Sequence, residues 1–467
     1  MDYIAIIDLG TTKVVGLVGE KTPYGCKVLA YSENPSQGVM RGEVVNIVNV
    51  LGAMTPCIEE LQEKIGGKIS RVYVGIAGQH IRSQAECNKV NRDPNAQEIT
   101  WEEIYKLEKN MYTSRVEPGE EVLHVIPQFY HVDEFLEIQD PVGMMGKKIE
   151  ANYRLFIGRT LSAEHTKRCI EKAGLKLERL ILEPLASAQA VLRDEEKELG
   201  VAMVDIGGGT TDLLVYYDNV IRHAAVIPFG GNVITEDIRQ GCSVPQRKAE
   251  EIKIQYGSCF AELAPANTTV VVRSEGGESK EISFRLLANI IEARVSEIIE
   301  AVYYEIKNSG FADRLHAGIV LTGGGAMMTN LVQFVKFKTG YNARVAKPVV
   351  LEEGSCPEVY HSAYACAVGL LLKGFEYRDG KKEEALQPSF VDIFGEKTNP
   401  ERGLFRRRKQ PQPQKPVSSI KQPAPPKPPA PPRPPKPPKP PKDVRIIDGM
   451  IDIFTDFFNV ETNNDLA

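Results

Sequence analysis

With 467 residues the chain has room for two to four domains of roughly 100–200 residues, and 42% hydrophobic content supplies ample material for buried cores. The formal charge of −5 is unevenly spread: residues 402–442 carry 12 Lys or Arg and no acid, residues 443–467 carry one Arg against six acids, and the rest sums to −12, so any anionic partner belongs to the basic arm and none of the body reads as a nucleic-acid surface. The eight cysteines form no CxxC pair and no His sits at zinc-finger spacing, which fits reduced, buried thiols better than disulfides or a metal site, and no apolar run approaches the ~20 residues of a spanning helix, so a cytoplasmic protein with at most peripheral membrane contact is expected.

The first predicted element is the strand–turn–strand of "YIAIIDLGTTKVVGLVGE". Asp8 ends its first strand, and Gly10, Thr11, Thr12 and Lys13 fill the turn, a set that offers a metal carboxylate, amides, hydroxyls and one charge to a phosphate. A helical pattern follows over about 47–65. From Ser83 to Arg159 the texture changes to a short helix with Thr100 as N-cap and then alternating runs, "VLHVIPQFYHVDEFL" and "KKIEANYRLFI", which suggests a small inserted α+β domain. Glu183 follows the apolar strand of "LILEPLASAQAVL". It either orients or deprotonates an attacking water, or is an ordinary polar residue ending a strand.

A second strand–turn–strand, "GVAMVDIGGGTTDLLVYY", repeats the first. Gly207, Gly208 and Gly209 let backbone amides approach a phosphate, Thr210 and Thr211 add hydroxyls, and Asp205 and Asp212 face each other across the turn as candidate Mg2+ carboxylates. Two such units predict a duplicated two-lobed fold around a cleft. Helical patterns over 232–240 and 244–257 open a second insertion, 232–305, which continues through the β-rich "TTVVVRS" into a helix over 284–308. Within it Glu250 and Lys253 share one helical face, as ribose ligands or as a solvated ion pair. In "GIVLTGGGAMM" a buried strand runs into Gly323, Gly324, Gly325 and Ala326 and then a helix, which suits the nucleoside side of a ligand.

From Pro411 to Pro441 the chain is mostly proline with spaced lysines, a polyproline II spacer or a ligand for an aromatic groove. In "RIIDGMIDIFTDFFNV", Ile447, Met450, Ile451, Phe454, Phe457 and Phe458 fall on one helical face and acids on the other. That pattern reads as an interfacial membrane anchor, with docking in a protein groove as the alternative.

Phosphate hairpin, second phosphate hairpin and "TGGGA" loop, in this order, resemble the actin and sugar-kinase superfamily. "HVIPQFYHVD", "DPVGMMGKKIEA", "RLFIG", "PFGGNVITEDI" and "KAEEIKIQYG" narrow the resemblance to the FtsA family of bacterial cell-division proteins. A related pilus-assembly protein or a small-molecule kinase is the alternative. The resemblance implies an ATP- and Mg2+-binding, filament-forming protein, a slow ATPase of mainly structural role, that ties the tail of FtsZ to the cytoplasmic face of the inner membrane at the division site. It implies an α/β, two-lobed actin-like ATPase fold divided into 1–82 plus 160–185 (subdomain 1A), 83–159 (1C), 186–231 plus 306–380 (2A) and 232–305 (2B), then a disordered basic linker over 381–442 and a membrane-targeting helix and tail over 443–467. It adds Gly231 to the nucleotide site, Asp205 to Glu183 as a catalytic group, and Arg294, in the helix "NIIEARVSEIIE", as the cation that meets the FtsZ tail.

Overall fold

The computed structural model describes residues 3–379 apart from 24, 94, 274–278 and 350; the proline-rich segment and the amphipathic stretch with Ile447, Met450, Ile451, Phe454, Phe457 and Phe458 lie outside the described residues. Strands β1 (Tyr3–Leu9), β2 (Lys13–Thr22) and β3 (Gly25–Pro35) form an antiparallel meander. A short hairpin, β4 (Val39–Met40) with β5 (Glu43–Val44), leads into α1 (Ile47–Ile65). The Asn46 side chain accepts from the amides of Val48 and Asn49 to start this helix, and Gly66, at φ 61°, ends it. Strand β6 (Arg71–Ile76) then adds parallel to β1.

The insertion follows as β7 (Arg82–Asn91), α2 (Trp101–Met111), β8 (Glu120–Val132), β9 (Phe135–Ile138) and β10 (Lys148–Arg159), with sheet order β7-β10-β8-β9. Thr100 caps α2 in a reciprocal box with Glu103. Ile104, Leu107, Tyr130, Tyr153 and Leu155 give this sheet and helix a core of their own. Helix α3 (Thr160–Lys172) and β11 (Lys176–Leu182) return to the first sheet, which reads β11-β6-β1-β2-β3. Helices α4 (Glu183–Val191) and α5 (Asp194–Leu199) lead to the second lobe.

There the pattern repeats. Strands β12 (Val201–Ile206), β13 (Thr211–Tyr217) and β14 (Val220–Ile227) form a second meander. Helices α6 (Gly231–Cys242) and α7 (Gln246–Tyr256), the hairpin β15 (Thr269–Arg273) with β16 (Ser279–Ser283), and α8 (Phe284–Asn308) come next. Strand β17 (Ile319–Thr322), helix α9 (Leu331–Thr339) and strand β18 (Ala343–Val345) complete a sheet ordered β14-β13-β12-β17-β18. In both lobes a three-stranded meander is extended by two parallel strands on its first strand. The duplicated two-lobed α/β architecture with a small α+β insertion is therefore the observed one.

The last helix, α10 (Ala365–Asp379), packs on β1, β2, β6 and α4, so a segment that the sequence-based division leaves with the second lobe lies against the first. A Cβ at Gly369 would collide with the Ala186 carbonyl, so α10 and α4 approach backbone to backbone. Among the described residues no helix is long and apolar enough to cross a membrane.

Candidate functional site

The turns after β1 and β12 meet across the cleft. A Cβ on Gly208 would run into the Thr12 side chain, and one on Gly209 would lie 3.1 Å from the Arg41 Cα. The Gly207–Thr210 loop is closed by the Gly207 amide donating to the Thr210 carbonyl (2.9 Å). It is braced from behind by the start of α6: the Gly231 amide donates to the Gly207 carbonyl (2.9 Å) and the Asn232 amide to the Gly208 carbonyl (2.8 Å). Only a residue without a Cβ fits at Gly230, where a side chain would sit 2.8 Å from the Gly208 carbonyl. Gly231, expected to touch the ligand, has its amide engaged by this brace.

Four carboxylates converge beneath the turns. Asp205 and Asp212 are direct cross-strand partners on β12 and β13, Asp8 stands near the end of β1, and Glu183 opens α4. Glu183 is thus the first residue of a helix, with Pro184 behind it, rather than the end of a strand. Burial raises the Asp8 carboxyl to about 6, Lys13 opposing and Asp205 adding to the shift. Burial first, then repulsion from Asp8, Asp212 and Asp205, holds Glu183 well above the ordinary range. Burial and Asp205 do the same to Asp212, and Asp205 is raised by burial against a hydrogen bond from Ser187. Among the described residues Asp212 Oδ1 is buried without a hydrogen-bond partner.

These groups suit a hard divalent cation. Asp8, Asp205 and Asp212 offer oxygen donors whose mutual repulsion a cation would relieve, and the orphaned Asp212 oxygen is an acceptor with nothing to accept from. Such an ion would neutralise phosphate charge beside the glycine turns.

Several predicted residues have other engagements. Lys13 Nζ lies 3.2 Å from Glu33 and 3.5 Å from the Tyr364 ring centroid, and Glu33 accepts from the Tyr31 and Tyr364 hydroxyls at 2.9 Å each. The lysine meant for phosphate is held by a carboxylate that register places diagonally opposite, since Lys13 pairs with Pro35. The Thr211 hydroxyl is fully buried and donates to the Phe229 carbonyl (2.8 Å), which leaves Thr210 and the Thr11–Thr12 pair as the threonines nearer the cleft. The Thr11 hydroxyl accepts from the Gly42 amide (3.2 Å).

In the loop expected to meet a nucleoside, Gly323 holds φ +84°, and a side chain there would also strike Asp205 and the Ile206 carbonyl. Gly325 packs on Ile206, Ala326 is buried, and Gly324 is the open member of the trio. The expected helix does not follow directly. A 3-10 turn over Gly325–Met327 and a left-handed Asn330 (φ 65°) intervene, and α9 starts at Leu331. Lys253 Nζ donates to the Gly231 carbonyl (3.0 Å) and Thr235 Oγ1 (2.8 Å) and pairs with Glu250 (2.8 Å), so Glu250, 41% exposed, is the member open to a ribose. Arg294 is not a free cation: it forks onto Asp237 at 2.6 and 3.1 Å and reaches Glu297 at 2.6 Å.

Sequence reasoning passes over three residues at this site. Ser187, one helical turn after Glu183, donates to Asp205 Oδ2 at 2.5 Å, and its i+4 spacing is a signal that could have found it. Glu33 needs the β2–β3 register. Cys366, on the first turn of α10, lies beside Asp8 and Glu183 with no local signal.

A family model described as "Cell division protein FtsA" matches residues 202–369, and one described as "SHS2 domain inserted in FTSA" matches 78–157. The chain is 37% identical over 373 residues to the cell division protein FtsA of Pseudomonas aeruginosa, covering 79% of this chain and 88% of that one. It is 34% identical over 379 residues to that of Escherichia coli K12, covering 79% and 90%. Among solved structures it resembles a chain of the PilM-PilN type IV pilus biogenesis complex (TM-score 0.55, 16% identity, 79% of this chain and 98% of that). It also resembles MreB5 of Spiroplasma citri bound to ADP (TM-score 0.50, 17% identity, 81% and 97%). These two likenesses show an actin-like fold. By the extent of its identity to the curated relatives, the chain belongs to the FtsA family of cell-division proteins.

Proposed function

We propose that this cell-division protein binds Mg·ATP between its lobes, assembles into filaments and ties the tail of FtsZ to the cytoplasmic face of the inner membrane. The observation that carries the nucleotide part is the convergence of Asp8, Asp205, Asp212 and Glu183 under two facing glycine–threonine turns. ADP in the MreB5 structure supports a nucleotide in this fold. Asp8, Asp205 and Asp212 would hold Mg2+, the amides of the Gly10 and Gly207–Gly209 turns would meet phosphates, and Glu250 with the Gly323–Ala326 loop would meet the nucleoside. Lys13 would exchange Glu33 for a phosphate, and Arg294 would exchange Asp237 for a carboxylate of the FtsZ tail. Glu183, held in place at the helix start, would orient water for a slow hydrolysis.

Membrane attachment rests on the phenylalanine face of the C-terminal stretch. Six large apolar side chains, each worth ~1.5–3 kcal/mol when fully buried and about half that at an interface, make one copy a marginal anchor that assembly would multiply. Flotation with anionic liposomes tests the adaptor reading. Wild type should float, more with ATP and less at high salt, and Phe454→Glu with Phe457→Glu should stay in the soluble fraction. A double variant that floats as well as wild type would make the stretch a protein-docking element instead.

A further inference from the structure

Cys366 has no place in a magnesium site, yet one carboxylate oxygen from each of Asp8 and Glu183 and the Cys366 Sγ all lie within 4.8 Å of one another. Two helix starts create this arrangement. Glu183 opens α4 and Cys366 sits in the first turn of α10, and the Gly369–Ala186 contact locks the two helices together. Asp212, 6% exposed and with its Oδ1 unpartnered among the described residues, is already taken up by the hard-cation set and is not a member of this one. Lys13, whose charge acts on Asp8, is engaged by Glu33.

We propose that Asp8, Glu183 and Cys366 form a second, thiophilic metal site that takes a borderline or soft divalent cation of the Zn2+ or Cd2+ class. Magnesium demands hard oxygen ligands and keeps its waters, whereas a thiolate with two carboxylates is a three-ligand set of the kind that leaves a fourth zinc position open. Binding forms a metal–sulfur bond and two metal–oxygen bonds. The thiol proton, together with any proton on Glu183, passes to solvent, and no electrons are exchanged. Without a cation the Cys366 thiol is hydrogen-bonded to Asp8, and that proton is the one the metal displaces. Because Asp8 serves both sites, the soft metal competes with Mg·ATP. That consequence rests on the nucleotide reading, whereas the metal site itself does not.

The test is titration of the nucleotide-free full-length protein with Cd2+, followed by the ultraviolet sulfur-to-cadmium charge-transfer absorption and by proton release. Wild type should show one equivalent with this absorption above the background of the other cysteines. Cys366→Ser, which keeps the size with a hard donor, and Cys366→Ala should lose that equivalent and its charge-transfer absorption. In parallel, Cd2+ should weaken Mg·ATP binding to wild type but not to Cys366→Ser. Equal absorption and stoichiometry in wild type and both variants would overturn the proposal. A cysteine-dependent cadmium signal in a protein that binds no Mg·ATP would support the metal site and refute the nucleotide reading.

Discussion

Burial first, and then repulsion from neighbouring carboxylates, raises Glu183, Asp212 and Asp8. The arrangement stores no obvious benefit for stability, which is why it reads as a site. Glu183→Ala should keep Mg·ATP binding and lose about 10²–10⁴-fold in turnover, because it removes the group that positions water and leaves the metal carboxylates in place. Single-turnover phosphate release measures this, and unchanged release would reduce Glu183 to the opening residue of α4. At this scale the sequence was partly legible. Asp205 and Asp212 are neighbours on a tight hairpin, so spacing alone pairs them. Cys366 and Glu33 reach the cleft through helix packing and strand register, which no local pattern encodes, and the engagement of the Thr211 hydroxyl by Phe229 is likewise a tertiary fact.

Elements with local signals are those read correctly from sequence: the Thr100 N-cap, the two strand–turn–strand units, and the helix over 284–308. The start of α9 was missed because glycine freedom and Asn330 admit a 3-10 turn that periodicity does not reveal. The insertion holds two testable features. Arg92, with its side chain 2% exposed, binds both Glu103 oxygens (2.8 and 3.0 Å) and the carbonyls of Gln97, Glu98 and Gly146, tying α2 to the loop before β10. Arg92→Ala leaves those acceptors without a donor and should destabilise the protein by about 3 kcal/mol in urea denaturation. An unchanged midpoint would mean that water replaces the guanidinium freely.

His124 on β8 is the other. It is 2% exposed, and among the described residues neither ring nitrogen has a hydrogen-bond partner. Burial, with Arg179 and Lys373 adding, lowers it from 6.5 to about 3. The folded state therefore refuses a proton that the unfolded chain accepts, so stability is full above pH 6.5 and falls as pH drops toward 3. At pH 5 one such group costs ~2 kcal/mol. His124→Phe should show that much less loss of stability between pH 7.5 and 5 than wild type. Parallel pH profiles would contradict the account.

Across the whole molecule, a repeated strand order places two similar turns face to face, and that duplication was visible because each copy carries its own Asp, glycines and threonines. The return of α10 to the first lobe was not visible, since tertiary packing specifies it: Gly369 against Ala186, Gly374 against Ile4 and Tyr73, and Leu371 against Gly19. The central claim is that the cleft between these lobes holds Mg·ATP. Calorimetry of wild type and Gly208→Asp tests it most directly: at Gly208 a side chain meets Thr12, and an added carboxylate would face the phosphates. Wild type should bind ATP only with Mg2+ present, and Gly208→Asp should give no binding heat while its circular dichroism and thermal midpoint stay near those of wild type. A folded Gly208→Asp that binds Mg·ATP as tightly as wild type would contradict the account.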